Sequence, residues 1–68
     1  MRAAVIYRGE DGHWVAEVPT LPGCISQGKT KPEAIDNIRE AIEGWIESAR
    51  AHGIPVPNED FDTQVVCV

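Results

Sequence analysis

The chain is short of cations and of long apolar runs. Six Lys and Arg residues stand against eleven Asp and Glu residues in a sequence of 68, which gives a net charge of −5. A phosphate backbone repels such a charge, so we expect no direct binding to nucleic acid; the charge favours a basic protein partner. No apolar run approaches the roughly 20 residues of a membrane span, and the one at residues 1–7 is too short for a secretory signal. We therefore expect a cytoplasmic protein.

Cysteine is also scarce, and small size limits the core. Cys24 and Cys67 lie far apart and match neither a disulfide framework nor a metal site, so free, partly buried thiols are expected. A chain of this length forms one domain, residues 1–68, and buries only about 60% of its unfolded surface. Association with another chain is therefore expected to supply part of its stability.

The stretch from Thr30 to Gly53 predicts one amphipathic helix of roughly 20 residues. Its apolar residues recur at helical spacing, and charged residues occupy the opposite side. Thr30 and Glu33 form a capping box, Pro32 suits the first turn, and Gly53 suits a left-handed cap. The predicted buried stripe contains Ala34, Ile35, Ile38, Ala41, Ile42, Trp45, Ile46 and Ala49.

Four short segments, at residues 3–7, 13–18, 24–27 and 63–68, have the composition of strands. The predicted fold is therefore α+β in the order β-β-β-α-β, a four-stranded mixed sheet with one long helix on one face. Residues 19–23 predict a structured turn, because two prolines and a glycine exclude a regular strand. For the first hairpin, the apolar pattern favours an even-numbered loop. Ala3, Val5 and Tyr7 then share the helix-covered face with Trp14, Ala16 and Val18.

The opposite face of this predicted sheet is also apolar. It carries Ala4, Ile6 and Val15, and the last strand, which includes Val66 and Val68, is apolar on both sides. A single helix covers only one face. These five residues are therefore the candidate interface for a partner or for a second copy.

The motifs from Gly12 to Ala34 resemble those of the HicB-type antitoxins. The strand ending Val-Pro-Thr-Leu-Pro-Gly-Cys is followed by Ser-Gln-Gly-Lys-Thr-Lys-Pro-Glu-Ala, a long helix and Gly-Ile-Pro-Val-Pro at residues 53–57. The resemblance implies a partly degraded ribonuclease-H-like fold. It also implies that the chain neutralises a small basic HicA-like toxin that cleaves messenger RNA, and forms a dimer or tetramer. Many such antitoxins carry a further C-terminal DNA-binding domain, and we expect none here.

The residues do not predict an enzyme. A ribonuclease H site needs converging carboxylates that hold divalent metal, and the first strand has none. Glu59, Asp60 and Asp62 are more typical of a solvated loop, and neither His13 nor Cys24 has a catalytic partner beside it in sequence. We expect no catalytic residues, metal or cofactor. Two alternatives stay open: a stand-alone oligomeric module without a toxin, and a residual metal-dependent nuclease.

Overall fold

A computed structural model shows an α+β fold in which one long helix packs on a three-stranded antiparallel sheet. The structure describes residues 2–58, 64 and 66–68. The strands are β1 (Val5–Arg8), β2 (Trp14–Glu17) and β3 (Ile25–Gly28), and the helix is α1 (Lys31–Ala51). The sheet order is β1-β2-β3, with both neighbouring pairs antiparallel.

The helix has the ends that its sequence predicts. The Thr30 hydroxyl accepts a hydrogen bond from the Glu33 N–H at 3.2 Å, which satisfies one free donor of the first turn. At the other end Gly53 has a φ of 67°. Its N–H donates to the Arg50 carbonyl at 3.2 Å, and the Ile54 N–H donates to the Ala49 carbonyl at 2.8 Å. These two bonds form a Schellman cap, which requires a left-handed residue such as glycine.

The hydrophobic core lies between α1 and the face of the sheet that carries Trp14. The helix docks there as predicted, although only some residues of its predicted buried stripe pack in the core. Ile35 and Ile46 are half-buried and do not belong to the core cluster. At about 100° per residue, both lie well to one side of Ala34 and Ile38 on the helix. The fully buried core residues are Ala16, Val18, Leu21, Cys24, Ala34 and Ile38, with Ile6, Trp14, Ala41, Ile42, Trp45 and Val56 packed around them.

The predicted register of the first hairpin is wrong. In the structure Tyr7 pairs with Val15 and Ile6 with Ala16, so Ile6 lies on the helix side while Tyr7 lies on the outer face. The turn explains the difference, because the Gly12 N–H donates to the Gly9 carbonyl at 3.1 Å and Gly12 has a φ of 85°. This geometry closes a loop with an odd number of residues and moves the strands by one position.

The start of the helix lies directly against the end of β3. A Cβ added to Gly28 would lie 2.5 Å from the Ala34 nitrogen and 2.9 Å from the Glu33 carbonyl carbon. The Asn37 side chain then donates a 2.8 Å hydrogen bond to the Gln27 carbonyl. Close backbone approach and this bond together fix α1 over β3 and β2.

The predicted fourth strand is not confirmed. Thr63 and Val65 lie outside the described residues, and Gln64 and residues 66–68 are in no strand. Val66 is 70% exposed, and Val68 is fully exposed. Within the described part of the chain the sheet therefore has three strands and is antiparallel rather than mixed.

Candidate functional site

Among the described residues, the large apolar side chains that are exposed on a strand or helix lie on the face of the sheet opposite α1. Side chains alternate across a strand, so the observed pairing assigns each strand residue to one face. Tyr7 is 43% exposed and Ile25 is 51% exposed, which are high values for large apolar side chains on a sheet. We call this surface the outer sheet face. Its members are Val5, Tyr7, Val15, Glu17, Ile25 and Gln27.

A shallow depression lies at the middle of the outer sheet face. Its volume is about 370 Å³, and Tyr7, Val15, Ile25 and Gln27 are among the residues that line it. Glu17 pairs with both Val5 and Ile25 across the strands and brings one carboxylate to the end of the apolar strip. An apolar centre with a polar margin is the usual anatomy of a protein-binding surface.

The structure separates the five residues that the sequence predicts as an interface. Val15 lies on the outer sheet face, as expected. Ile6 does not, because the odd loop turns it toward the helix, where it packs against the core. Ala4 is exposed and precedes β1, while Val66 and Val68 are exposed but in no strand. Tyr7 and Ile25 were missed as members of this face. The Gly12 left-handed turn was the signal that could have placed Tyr7 there.

The connection between β2 and β3 is a hydrogen-bonded turn with a buried side, and it supports this sheet. The Val18 N–H donates to the Cys24 carbonyl at 3.0 Å, and the Cys24 N–H donates to the Leu21 carbonyl at 3.0 Å. Leu21 is fully buried, and Thr20 is 4% exposed. The Trp45 indole N–H donates to the carbonyl of residue 22 at 3.0 Å. The predicted structured turn is therefore confirmed, and it joins the sheet to the helix.

The hairpin turn carries an Asp–His pair beside a small cavity. Asp11 accepts a 3.0 Å hydrogen bond from the His13 N–H, and its other carboxylate oxygen lies 3.1 Å from the His13 Nδ1. The backbone hydrogen bond from His13 is the main reason that the pKa of Asp11 lies below its usual value. Asp11, Gly12, His13 and Lys29 line the cavity, whose volume is about 220 Å³. No hydroxyl or thiol lines it, so the pair lacks a nucleophile to activate.

The described residues contain no group suited to hold a metal ion. No three His, Cys, Asp or Glu side chains come together among them. Glu59, Asp60 and Asp62 lie outside the described residues. Both thiols are free; Cys67 is exposed and Cys24 is buried, and burial raises the pKa of the Cys24 thiol.

Two cations lie over one aromatic ring on the helix side of the sheet. The Arg8 guanidinium is 5.2 Å and the Lys31 ammonium 5.8 Å from the centre of the Trp14 ring. Both distances are within the range of cation–π attraction. Arg8 therefore lies on the helix side of the sheet, but its guanidinium is over the Trp14 ring and not among the apolar residues of the core. The observed register is compatible with a charged residue at this position for that reason.

The arrangement defines a small α+β domain with a helix on one face of its sheet and an open apolar surface on the other. No helix in the described part of the chain is long and apolar enough to cross a membrane. The family model for the HicB-like antitoxin of bacterial toxin–antitoxin systems matches residues 3–65. The chain belongs to this family of antitoxins, which confirms the resemblance seen in its motifs.

The sequences of several relatives align with most of this chain. A UPF0150 protein of Thermoplasma acidophilum is 50% identical over 58 residues, which cover 85% of this chain and 84% of the relative. A UPF0150 protein of Synechocystis is 58% identical over 51 residues, covering 75% of this chain but 65% of the relative. A Helicobacter pylori UPF0150 protein is 50% identical over 48 residues, with 71% and 65% covered. The chain thus spans just under two thirds of the length of the last two relatives. No solved structure gives a significant match.

Proposed function

We propose that this chain is the neutralising partner in a toxin–antitoxin pair. It binds a small basic HicA-like toxin that cleaves messenger RNA and inhibits it by protein–protein contact, without catalysis of its own. Membership of the HicB-like antitoxin family is the observation that carries this proposal. The net charge of −5 supports it, because an acidic protein attracts a basic one over long range and accelerates their encounter.

The outer sheet face is the surface that the toxin contacts in this proposal. Tyr7 and Ile25 present large apolar side chains around a shallow depression, and such side chains supply most of the energy in protein interfaces. Glu17 at the end of the strip offers a carboxylate to a basic partner. The described residues of this domain place no helix on this face.

Purification of the full-length tagged chain from its native host tests the function directly. A small basic protein should co-purify, and its mass identifies it. When that protein is then produced in a test strain, it should arrest growth and degrade messenger RNA. Co-production of this chain should restore growth and keep the messenger RNA intact. Failure to find a partner, or a partner whose toxicity this chain does not relieve, contradicts the proposal.

A pair of matched substitutions tests the surface. Ile25→Glu places a charge beside the depression on the outer sheet face, whereas Ile54→Glu makes the same change after the helix, where Ile54 is 54% exposed. Loss of an anchor residue costs about 2 kcal/mol or more, or about a 30-fold rise in the dissociation constant for the toxin. Ile54→Glu should leave that constant unchanged. Equal effects of the two substitutions would show that the toxin does not bind this face.

The two alternatives give different results in the same preparation. A stand-alone oligomeric module would self-associate and carry no bound toxin. A residual nuclease would cleave RNA when incubated with Mg²⁺ or Mn²⁺, and activity lost with a chelator would establish it. We expect neither result.

A further inference from the structure

Half of the cations of this acidic chain lie at one end of the sheet. Arg8, Trp14 and Gly28 pair across the three strands and form the last row of the sheet at that end. Lys29 follows Gly28 directly, and Lys31 begins α1. We call Arg8, Lys29 and Lys31 the cationic end. It gives a local excess of positive charge to a chain that has six Lys and Arg residues and a net charge of −5.

The half-buried ring of Trp14 holds two of these cations near each other. The Arg8 guanidinium and the Lys31 ammonium lie 5.2 and 5.8 Å from the ring centre, so they are no more than about 11 Å apart, the sum of those distances. The attraction to the ring orients both groups but does not neutralise them. The N–H donors that point away from the ring stay available, five in a guanidinium and three in an ammonium before any are used.

No carboxylate in the described part of the chain neutralises the cationic end. The charged groups of its three residues form no ion pair there. Three acidic residues lie in the neighbouring turns, Glu10, Asp11 and Glu33. Both oxygens of Asp11 are already engaged by His13, one by its N–H at 3.0 Å and the other by its Nδ1 at 3.1 Å. Like charges repel each other when they are held close together, so a bound anion would relieve that repulsion.

Two further features at this end favour an anion. The cavity of about 220 Å³ in the hairpin turn is lined by Lys29 and His13, together with Asp11 and Gly12, and leaves room beside the Lys29 ammonium. The first turn of α1 begins at Lys31, and the positive end of its dipole adds to the charge of that side chain. Side chains from two strand ends and a helix start therefore contribute positive potential to the same region.

We propose that the cationic end binds a small anion with two or three linked phosphate groups, as in an inorganic oligophosphate or the phosphate tail of a nucleotide. Arg and Lys bind phosphate oxygens by charge-assisted hydrogen bonds, and linked phosphates can contact both the Arg8 and the Lys31 groups. A long nucleic acid is disfavoured, because three cations neutralise few phosphates and the acidic remainder of the chain repels the others. This binding does not depend on the proposed binding of a toxin.

Titration of the full isotope-labelled chain with inorganic triphosphate at low salt, followed by NMR, tests the proposal. The indole N–H signal of Trp14 should shift until it saturates, with a dissociation constant of about 1 mM or below. Raised salt should weaken the binding because it screens the charges. The indole of Trp45, which donates to the carbonyl of residue 22, is the internal control and should not shift. A Trp14 signal that does not shift, or that shifts without saturation, overturns the proposal.

A pair of matched substitutions separates a site from a general effect of net charge. Lys31→Gln removes an exposed cation from the cationic end and should raise the dissociation constant for triphosphate about tenfold, because one charge-assisted hydrogen bond is lost. Arg39→Gln removes the same charge from an exposed position farther along α1 and should change the constant by no more than about twofold. Circular dichroism should show equal helicity in both variants. Equal weakening by the two substitutions refutes a site at the cationic end.

Two other probes identify the source of the anion. Equal dissociation constants for adenosine triphosphate and inorganic triphosphate would support recognition of the phosphates alone. Tighter binding of adenosine triphosphate would support a nucleotide as the ligand, because the base or sugar then adds a contact. A hexaglutamate peptide carries its negative charges on carboxylates and should bind more weakly than triphosphate. A peptide that binds more tightly would show that this end recognises an acidic segment of a protein, which overturns the proposal.

Discussion

Gly28 is the position at which a single added methyl group should damage the fold most specifically. Its Cβ would lie 2.5 Å from the Ala34 nitrogen, and 2.9 Å from both the carbonyl carbon and the Cβ of Glu33. Two of these three atoms belong to the helix backbone, so no side-chain rotation relieves the contact. The first turn of α1 must move away from β3. Overpacking of this kind costs about 1–3 kcal/mol in the free energy of unfolding.

Thermal and urea unfolding of Gly28→Ala, followed by circular dichroism, measure this cost. For a domain of this size, 1 kcal/mol corresponds to about 4–8 °C, so a cost of about 2 kcal/mol lowers Tm by roughly 8–16 °C. Gly44→Ala is the matched control, because Gly44 lies in the helix with nothing within 4 Å of its added Cβ. That change should stabilise the protein by up to about 1 kcal/mol, since alanine favours a helix. A Gly28→Ala variant as stable as wild type would refute the close approach of α1 to β3.

Three further predictions concern single side chains. Trp45→Phe removes the indole N–H that binds the β2–β3 connection and should lower the free energy of unfolding by about 1 kcal/mol in urea. The pKa of Asp11 is lowered in the folded state, chiefly by the hydrogen bond from the His13 N–H. The ionised Asp11 carboxylate therefore stabilises the folded protein above the unfolded-state pKa, and this stabilisation is lost as pH falls through the folded-state pKa. Asp11→Asn should therefore reduce the loss of stability as pH falls through and below the usual pKa of an aspartate, about 3.9. Cys67 should react with iodoacetamide faster than Cys24, whose thiol is buried and has a raised pKa, and equal rates would contradict that burial.

The helix was predictable because its signals are local and agree with one another. Thr30, the helical spacing of apolar residues and Gly53 each mark a different part of the same element, and the structure confirms both ends. Ile35 and Ile46 were harder to place, because an apolar residue at the margin of a stripe can face the core or a partner. The structure shows that they lie outside the core cluster.

The register of the first hairpin was not predictable from apolar alternation alone. The prediction placed Val5 and Tyr7 on the face that carries Trp14, whereas the observed pairing puts Glu17 beside Val5 and Arg8 beside Trp14. Two local interactions outweigh the pattern. The turn at Gly12 selects an odd loop, and the ring of Trp14 accepts the Arg8 guanidinium by cation–π attraction.

The corrected register changes which residues can bind a partner. With Ile6 turned toward the helix, the outer sheet face gains Tyr7 and keeps Val15, and these two residues line its depression together with Ile25. The register therefore predicts opposite results for neighbours in one strand. A polar substitution at Ile6 should reduce the stability of the fold, whereas one at Tyr7 should reduce binding of a partner and leave stability largely unchanged. The two faces of β1 thus have separate roles, one in the core and one available for recognition.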